Sequence, residues 1–198
     1  MKRTEKREHL RSKLIETGIS LFNQQGYHGT GIQDIVDAAG VPKGSFYTYF
    51  SSKEDFAGEV IQKFSALGAA GIDQRLQEAK SPLTGLIEFF RANRDRLADA
   101  GYSGGCLLGN LTNEIDPNNT TIRPQLSAGL SSQAERISWA IEQAQAQGEI
   151  REDLPATLLG DLVLNGWEGS LIRAKAQQSP APLNQFLETF FQDLLPPR

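Results

Sequence analysis

One side chain in this sequence, Cys106, can act as a soft nucleophile. It is the only cysteine, and it lies in Gly104-Gly105-Cys106, at the start of an apolar-periodic stretch that predicts a helix. Free N–H groups at a helix N-terminus favour the thiolate form, and a thiolate attacks soft electrophiles. The alternative is a small buried hydrophobe, because most free cysteines are core residues. The residue types alone leave both roles open.

The other residues that bind metals or activate nucleophiles do not form a recognisable set. His9 and His28 are the only histidines, and neither has metal-ligand spacing with Cys106. Both lie near the N-terminus, so no Ser/His/Asp set can be argued, and no glycine loop of the phosphate-binding type is present. We therefore expect no metal site, no cofactor and no catalytic residues, and we predict that the protein is not an enzyme.

A second cluster with binding chemistry lies between residues 43 and 49. Phe46 and Phe50 are four residues apart and can pack inward on a helix, which leaves their polar neighbours on its other sides. Hydroxyl groups and aromatic edges suit phosphates and thymine methyl groups of DNA. The alternative is that the tyrosines are half-buried packing residues and the lysine is merely solvated. The cluster consists of Lys43, Ser45, Tyr47, Thr48 and Tyr49.

Two short predicted helices hold this cluster. Residues 32–39 have a buried face, and Thr30 can cap this helix while Gln33 reaches back in a capping box. Gly40 permits the left-handed exit that a tight turn requires, and residues 42–50 form the next helix. Two short helices joined by such a turn form the helix-turn-helix pattern, whose second helix enters the DNA major groove.

The fold class is predicted to be all-α. Nearly every apolar pattern has the helical period, and no stretch alternates convincingly with period two. Ser51–Glu54 has the pattern of a capping box that opens a longer helix, and most later prolines separate further apolar-periodic stretches. The total is about nine helices. The last five are expected near residues 82–99, 104–115, 124–147, 155–177 and 183–195.

The charge is distributed unevenly along the chain. The 198 residues carry a formal charge of −4, which excludes a protein that coats nucleic acid by bulk attraction. Residues 1–13 nevertheless have a net charge of +4 and residues 64–198 one of −5. This asymmetry is expected if one end contacts a polyanion, although a frayed, soluble tail is the alternative. No apolar run has the length of a membrane span or follows the N-terminus as in a signal peptide, so we expect a cytoplasmic protein without membrane contact.

The N-terminal segments closely resemble the DNA-binding domain of TetR-family transcriptional regulators. The resemblance implies a three-helix DNA-binding domain over residues 1–51 and a ligand-binding and dimerisation domain of about six helices over residues 52–198. It also implies a homodimer, a double-stranded DNA operator and a small-molecule effector. Tyr49 stands where many relatives carry histidine, which leaves the base preference open. The matching segments are Leu21–Thr30, Ile32–Ile35, Ala38–Val41, Lys43–Phe50 and Ser52–Glu54.

The same resemblance implies which residues contact DNA. Four side chains of the second short helix would lie in the major groove, namely Lys43, Tyr47, Thr48 and Tyr49. Thr30 and Gln33 would flank the groove, and Lys53 would hold a phosphate. The expected DNA-binding set is Thr30, Gln33, Lys43, Gly44, Ser45, Tyr47, Thr48, Tyr49 and Lys53.

The segment Gly104–Leu111, followed by Glu114-Ile115, resembles the sixth helix of a subgroup that responds to small unsaturated or electrophilic molecules. In several of these regulators the corresponding thiol lies near the effector pocket. Core or surface roles remain the alternative for each pocket candidate, and effector identity is left open. The expected pocket set is Phe90, Cys106, Leu107, Asn110, Trp139 and Trp167.

Two apolar stripes near the C-terminus are expected to form the dimer interface. Three glycines in the first stripe reduce its helix propensity, and close helix approach would explain why they are tolerated. Pairing of these helices into a four-helix bundle fits the resemblance. The alternative, that the stripes face the protomer's own core, is true in part. The expected interface set is Leu159, Val163, Gly166, Leu183, Phe186, Leu187 and Phe190.

Taken together, these features predict a repressor that leaves a palindromic operator when a small molecule binds. A helical enzyme or scaffold that keeps the helix-turn-helix only as structure is the alternative. Loss of operator binding on addition of a ligand would distinguish the two.

Overall fold

The computed structural model describes residues 3–197, apart from the side chains of Arg3, Thr4 and Lys6. These residues form nine α-helices and a C-terminal π-helical segment, with no strand among them. The all-α fold and the helix count predicted from periodicity are therefore confirmed. The helices are α1 (Arg3–Gln25), α2 (Ile32–Ala39), α3 (Lys43–Tyr49), α4 (Lys53–Glu78), α5 (Pro82–Asp99), α6 (Leu107–Glu114), α7 (Ile122–Gln145), α8 (Ala156–Gln177) and α9 (Ala181–Glu188), followed by the π-helical segment Thr189–Leu194.

The helix expected over 104–115 is shorter than the sequence indicates. Gly104 and Gly105 have φ angles of 88° and 99°, which a right-handed helix does not allow, so α6 begins only at Leu107. Cys106 is therefore the residue directly before the helix rather than part of its first turn. Across the described residues, no helix combines the length and apolar character needed to span a membrane.

The chain divides into two compact units. The first contains the residues up to Phe64 together with Leu107–Gly129, and the second contains Ser65–Cys106 and the chain from Leu130 onward. Helices α4 and α7 contribute residues to both. A functional boundary after residue 51 remains a prediction.

Aromatic rings build the core of the first unit. Phe22, Phe46, Phe50 and Phe56 are almost completely buried, and adjacent ring centroids lie 4.9–5.8 Å apart. Burial of one such ring contributes about 1.5–3 kcal/mol. Because the rings come from α1, from α4 and from the segment that contains α3, this core fixes the short helix α3 against two longer ones.

A second aromatic cluster lies in the second unit. Phe90 of α5 contacts Trp167 of α8 with a centroid distance of 4.9 Å, and both rings contact Phe186 of α9. The glycine at 166 allows α9 to approach closely, since a Cβ there would lie 2.8 Å from the Phe186 ring. Close approach thus explains this glycine, as expected, but the helices involved belong to one protomer.

Candidate nucleic-acid interface and effector region

Helices α2 and α3 form the expected helix-turn-helix. Gly40 adopts the left-handed conformation with φ 64° and ψ 38°. Its N–H donates to the Asp37 carbonyl at 3.0 Å, and the Val41 N–H donates to the Val36 carbonyl at 2.9 Å. These two hydrogen bonds satisfy carbonyls at the end of α2 and turn the chain into α3.

The N-terminus of α2 differs from the predicted capping box. Thr30 is completely buried, and its hydroxyl donates to the Gly26 carbonyl at 2.8 Å. The N-cap residue is Gly31, whose N–H donates to Asp34 at 2.7 Å. The capping pair predicted from Thr30 and Gln33 is therefore wrong by one residue. Thr30 stabilises the turn before α2, and its side chain has no exposed surface that could contact DNA.

The outer face of α3 carries the remaining candidates for base and phosphate contact. Lys43, Gly44, Tyr47 and Thr48 are exposed, and the Tyr47 side chain is accessible over 56% of its surface. A tyrosine carries a large apolar ring and a polar hydroxyl group, and residues of this kind are enriched at interfaces. Ser45 and Tyr49 are partly buried, and Gln33 is exposed on α2, where it donates to Asp37.

Gly44 is not explained by contacts within the protein. A Cβ built at this position meets no atom within 4 Å, and the residue is not among those with a positive φ. Neither packing nor backbone conformation therefore excludes a side chain here. A requirement for glycine at 44 would have to come from a molecule that approaches α3 from outside.

Lys53 lies at the start of α4 and is engaged with Tyr27. Its ammonium donates to the Tyr27 carbonyl at 2.6 Å and lies 4.2 Å from the centre of the tyrosine ring. Burial lowers the pKa of Lys53, while the nearby charges of Glu114 and Asp34 act in the opposite direction. A phosphate contact from Lys53 remains a prediction and would use the N–H groups of its ammonium that do not donate to Tyr27.

Comparison with known proteins decides the family of the chain. The family described as "Bacterial regulatory proteins, tetR family" matches residues 14–60, and "Tetracyclin repressor-like, C-terminal domain" matches residues 82–190. The HTH-type transcriptional repressor DhaR of Mycobacterium sp. (strain GP1) is 37% identical over 99% of this chain and 96% of its own length.

The chain belongs to the TetR family. As a member of this family, it is a ligand-responsive, DNA-binding transcriptional repressor with a helix-turn-helix. The HTH-type transcriptional repressor NemR of Escherichia coli (strain K12) is 28% identical over 89% of both chains. The crystal structure of a regulatory protein TetR from Rhodobacter sphaeroides superposes with a TM-score of 0.83 at 35% identity, covering 91% of this chain and 96% of that one.

In this TetR-family chain, Cys106 lies among charged neighbours. It is partly buried, packs against the core of the second unit and is hydrogen-bonded to the Glu168 side chain of α8. Burial raises the pKa of Glu168, whereas the hydrogen bond from Cys106 and the charge of Lys175 lower it. The thiol is therefore paired with a carboxyl group. The two residues are 62 positions apart in sequence, so no local pattern indicates this pairing.

The predicted pocket residues do not form one group. Phe90 and Trp167 contact each other inside the core of the second unit, whereas Trp139 is exposed and stacks against Arg136 at 3.8 Å. Trp139 lines a separate open groove of about 580 Å³ between α7 and the start of α8. Leu107 and Asn110 belong to the first unit.

Most of the predicted interface residues are buried within their own protomer, which is the alternative that the sequence left open. This holds for Leu159, Val163, Leu183, Phe186 and Leu187, all between 0 and 5% exposed. Gly166 and Phe190 pack against each other and are partly buried.

Another stripe on α8 is exposed instead. Leu158, Leu162 and Ile172 are among the most exposed large apolar side chains of the described residues, and a Cβ at Gly169 would meet no atom within 4 Å. With the exposed Asn165, these residues follow the 4-3-4-3 spacing of a helix contact. The sequence could not select this stripe, because two adjacent faces of α8 are both apolar.

Helix α6 is hydrogen-bonded to the end of α1 and the turn that follows it. Asn110 donates to the Asn23 side chain at 3.3 Å. The His28 N–H donates to the Glu114 carboxylate at 3.2 Å, and the His28 ring lies 3.1 Å from the Glu114 carbonyl oxygen. Because α6 starts directly after Cys106, the thiol is linked through the backbone to a helix that is hydrogen-bonded to α1 and to the turn before α2.

Proposed function

We propose that this protein binds a near-palindromic operator as a homodimer and releases it when a small, soft electrophile reacts with Cys106. The observation that carries the DNA-binding part is α3, whose inner side is anchored by buried phenylalanines while Lys43, Tyr47 and Thr48 project from its exposed side. An exposed helix with cationic, hydroxyl and aromatic groups matches the phosphates and base edges of a major groove. This role is regulatory, not enzymatic, and is exercised in the cytoplasm.

The exposed stripe of α8 supports the dimer. Two copies of α8 in antiparallel orientation would place Leu158 opposite the partner's Ile172, with Asn165 near the two-fold axis. The absence of a side chain at Gly169 leaves room for the second helix to approach. A two-fold dimer presents two copies of α3, which fits half-sites about 34–36 Å apart or somewhat more.

The position of Cys106 supports the effector response. Reaction at this thiol adds bulk immediately before α6, and α6 is hydrogen-bonded through Asn110 and Glu114 to the end of α1 and to the turn that leads into α2. A shift of α6, or of α4, would change the separation of the two copies of α3 in the dimer. The coupling needed is a differential affinity of about 1–3 kcal/mol between the two states.

The experiment begins with selection of bound duplexes from fragmented genomic DNA by the purified protein. A gel shift with the selected operator then compares the free protein with protein treated with N-ethylmaleimide or with its saturated analogue, N-ethylsuccinimide. We expect release by the maleimide alone, and no release for Cys106→Ser. Lys43→Ala and Tyr47→Ala should weaken operator binding while the circular dichroism spectrum stays unchanged. Operator binding of wild-type strength in both variants would refute the assignment of α3, and full release of Cys106→Ser would refute covalent sensing.

A further inference from the structure

The turn that joins α1 to α2, residues 26–30, is fixed by hydrogen bonds to the helices that follow it. Thr30 is buried, and its hydroxyl donates to the Gly26 carbonyl at 2.8 Å. Lys53, at the start of α4, donates to the Tyr27 carbonyl at 2.6 Å. Because α2 follows this turn in the chain and α4 is bonded to it, a displacement of the 26–30 turn moves the start of both helices.

A further contact with the 26–30 turn comes from Glu114, the last residue of α6. Its carboxylate accepts the N–H of His28 at 3.2 Å, and its carbonyl oxygen lies 3.1 Å from the His28 ring. The carboxylate also occupies the space beside Gly26 that a side chain would fill, since a Cβ built there would clash with both carboxylate oxygens, one of them at 2.6 Å. The end of α6 is therefore seated directly on the turn.

The charge of Glu114 does not stabilise α6 itself. A carboxylate in the last turn of a helix is repelled by the negative end of the helix dipole. The partners of this carboxylate lie outside α6 instead. Besides its contact with the turn, its charge acts together with that of Asp34 to oppose the lowering of the Lys53 pKa by burial. Glu114 thus acts on the turn before α2 and on the lysine that is expected to contact a phosphate.

We propose that Glu114 is the positioning residue that couples α6 to the operator-binding helices. Its carboxylate holds the 26–30 turn through the His28 N–H and the space at Gly26, so a shift of α6 moves the turn and lowers the affinity for the operator. This inference rests on the proposed release of the operator through α6, but not on the chemistry at Cys106. It requires the coupling to be lost when this one side chain is removed.

Coupling between two sites is reciprocal, which allows a test without an effector. If the position of α6 controls operator affinity, the bound operator must in turn stabilise α6. Hydrogen exchange with mass spectrometry measures this on the full-length protein, with and without the operator selected from genomic DNA. The informative amides are those bonded within α6, from Leu111 to Ile115. We expect the operator to slow their exchange by about fivefold or more in the wild-type protein.

Variants of α6 separate the contact from general stability. Glu114→Ala should abolish the slowing, whereas Glu114→Gln should keep it, since the amide oxygen can still accept the His28 N–H. The matched control is Asn113→Ala, because the exposed Asn113 side chain donates to the Gly109 carbonyl of the same helix. This control should behave like wild type. Equal slowing in Glu114→Ala and wild type would overturn the proposal, and so would a wild-type protein in which the operator leaves α6 exchange unchanged.

A variant of the turn tests the same contact from the other side and remains informative if Glu114→Ala does not fold. Gly26→Ala places a methyl group where the carboxylate lies and should also abolish the slowing. Gly26 has a φ angle of 77°, which strains alanine, so Gly148→Ala is the matched control: its φ is 69° and its methyl would meet no atom within 4 Å. Loss of the slowing in both variants would overturn the proposal, because strain alone would then explain it.

A gel shift with N-ethylmaleimide on the same proteins separates this proposal from covalent sensing. We expect release of the wild-type protein and at least about fivefold weaker release of Glu114→Ala. If the maleimide does not release the wild-type protein but the slowing depends on Glu114, the role of Glu114 stands and sensing through Cys106 is wrong. If the maleimide releases Glu114→Ala as readily as wild type, the sensing function stands and the role of Glu114 is wrong.

Discussion

The substitution Gly44→Ala should make the protein more stable and a weaker DNA binder at the same time. Gly44 is the second residue of α3, and the methyl group of alanine would meet no protein atom within 4 Å. Replacing a glycine in a helix with alanine contributes about 0.5–1 kcal/mol, with the lower value expected in a first turn. For a chain of this length the lower value raises the melting temperature by about 1–2 °C.

The loss of DNA affinity follows from the place where the methyl group projects. If the start of α3 lies against the DNA backbone, the added group moves the helix away and lengthens its contacts with phosphate. One weakened hydrogen bond is worth about 1 kcal/mol, and a dimer presents the change twice. The sum of about 2 kcal/mol corresponds to roughly a thirtyfold loss of operator affinity.

The assay combines scanning calorimetry with fluorescence anisotropy of a labelled operator. Gly68→Ala is the matched control, because Gly68 lies inside α4 and the nearest neighbour of its added methyl would be Gln133 at an ordinary contact distance of 3.8 Å. This control should gain similar stability and keep the wild-type affinity. Equal affinity of Gly44→Ala and wild-type protein would refute the close approach of DNA to this residue.

Three further predictions concern the dimer, the basic N-terminus and pH. Ile172→Asp should give a folded monomer in sedimentation experiments, whereas Leu187→Asp should destabilise the protomer itself because Leu187 is only 5% exposed; a dimeric Ile172→Asp would exclude the α8 stripe. Deletion of residues 1–7 should make the slope of log K against log salt concentration shallower by about 0.9 per lost phosphate contact, without a change in base preference. Among the cations of this segment, Lys2 and the side chains of Arg3 and Lys6 lie outside the described residues. Burial raises the pKa of Glu168, so ionisation of its carboxyl group destabilises the fold. The folded protein is therefore more stable at acid pH, where this carboxyl group is protonated, and it loses that stability as the pH rises. Glu168→Gln should accordingly melt higher than wild type at neutral pH and equally at acid pH, and an equal melting point at neutral pH would contradict the burial cost.

The parts of the fold that follow from local patterns could be predicted from the sequence. The helical period yields the all-α class, and the spacing of Phe46 and Phe50 indicates which side of α3 is buried. Gly40 marks the turn between α2 and α3, because a left-handed residue is needed there. Each of these features depends on residues within one or two helical turns.

The features that local patterns do not determine depend on competition between near-equivalent neighbours or on contacts distant in sequence. Thr30 and Gly31 can both precede α2, and the buried hydrogen bond of Thr30 to Gly26 decides in favour of Gly31 as the cap. Two adjacent faces of α8 are apolar, and only packing against α9 shows which one is covered. The pairing of Cys106 with Glu168 arises from tertiary structure alone.

The separation of the two sides of α3 has a consequence for how such a regulator can diverge. Phe46 and Phe50 hold the helix in place from within, whereas Lys43, Tyr47 and Thr48 are exposed. Substitutions at exposed positions usually change stability by no more than about 0.5 kcal/mol. After gene duplication, a copy of this protein can therefore acquire a new operator preference through these three positions without first losing its fold, and the same positions are the natural ones to randomise when a new operator is wanted.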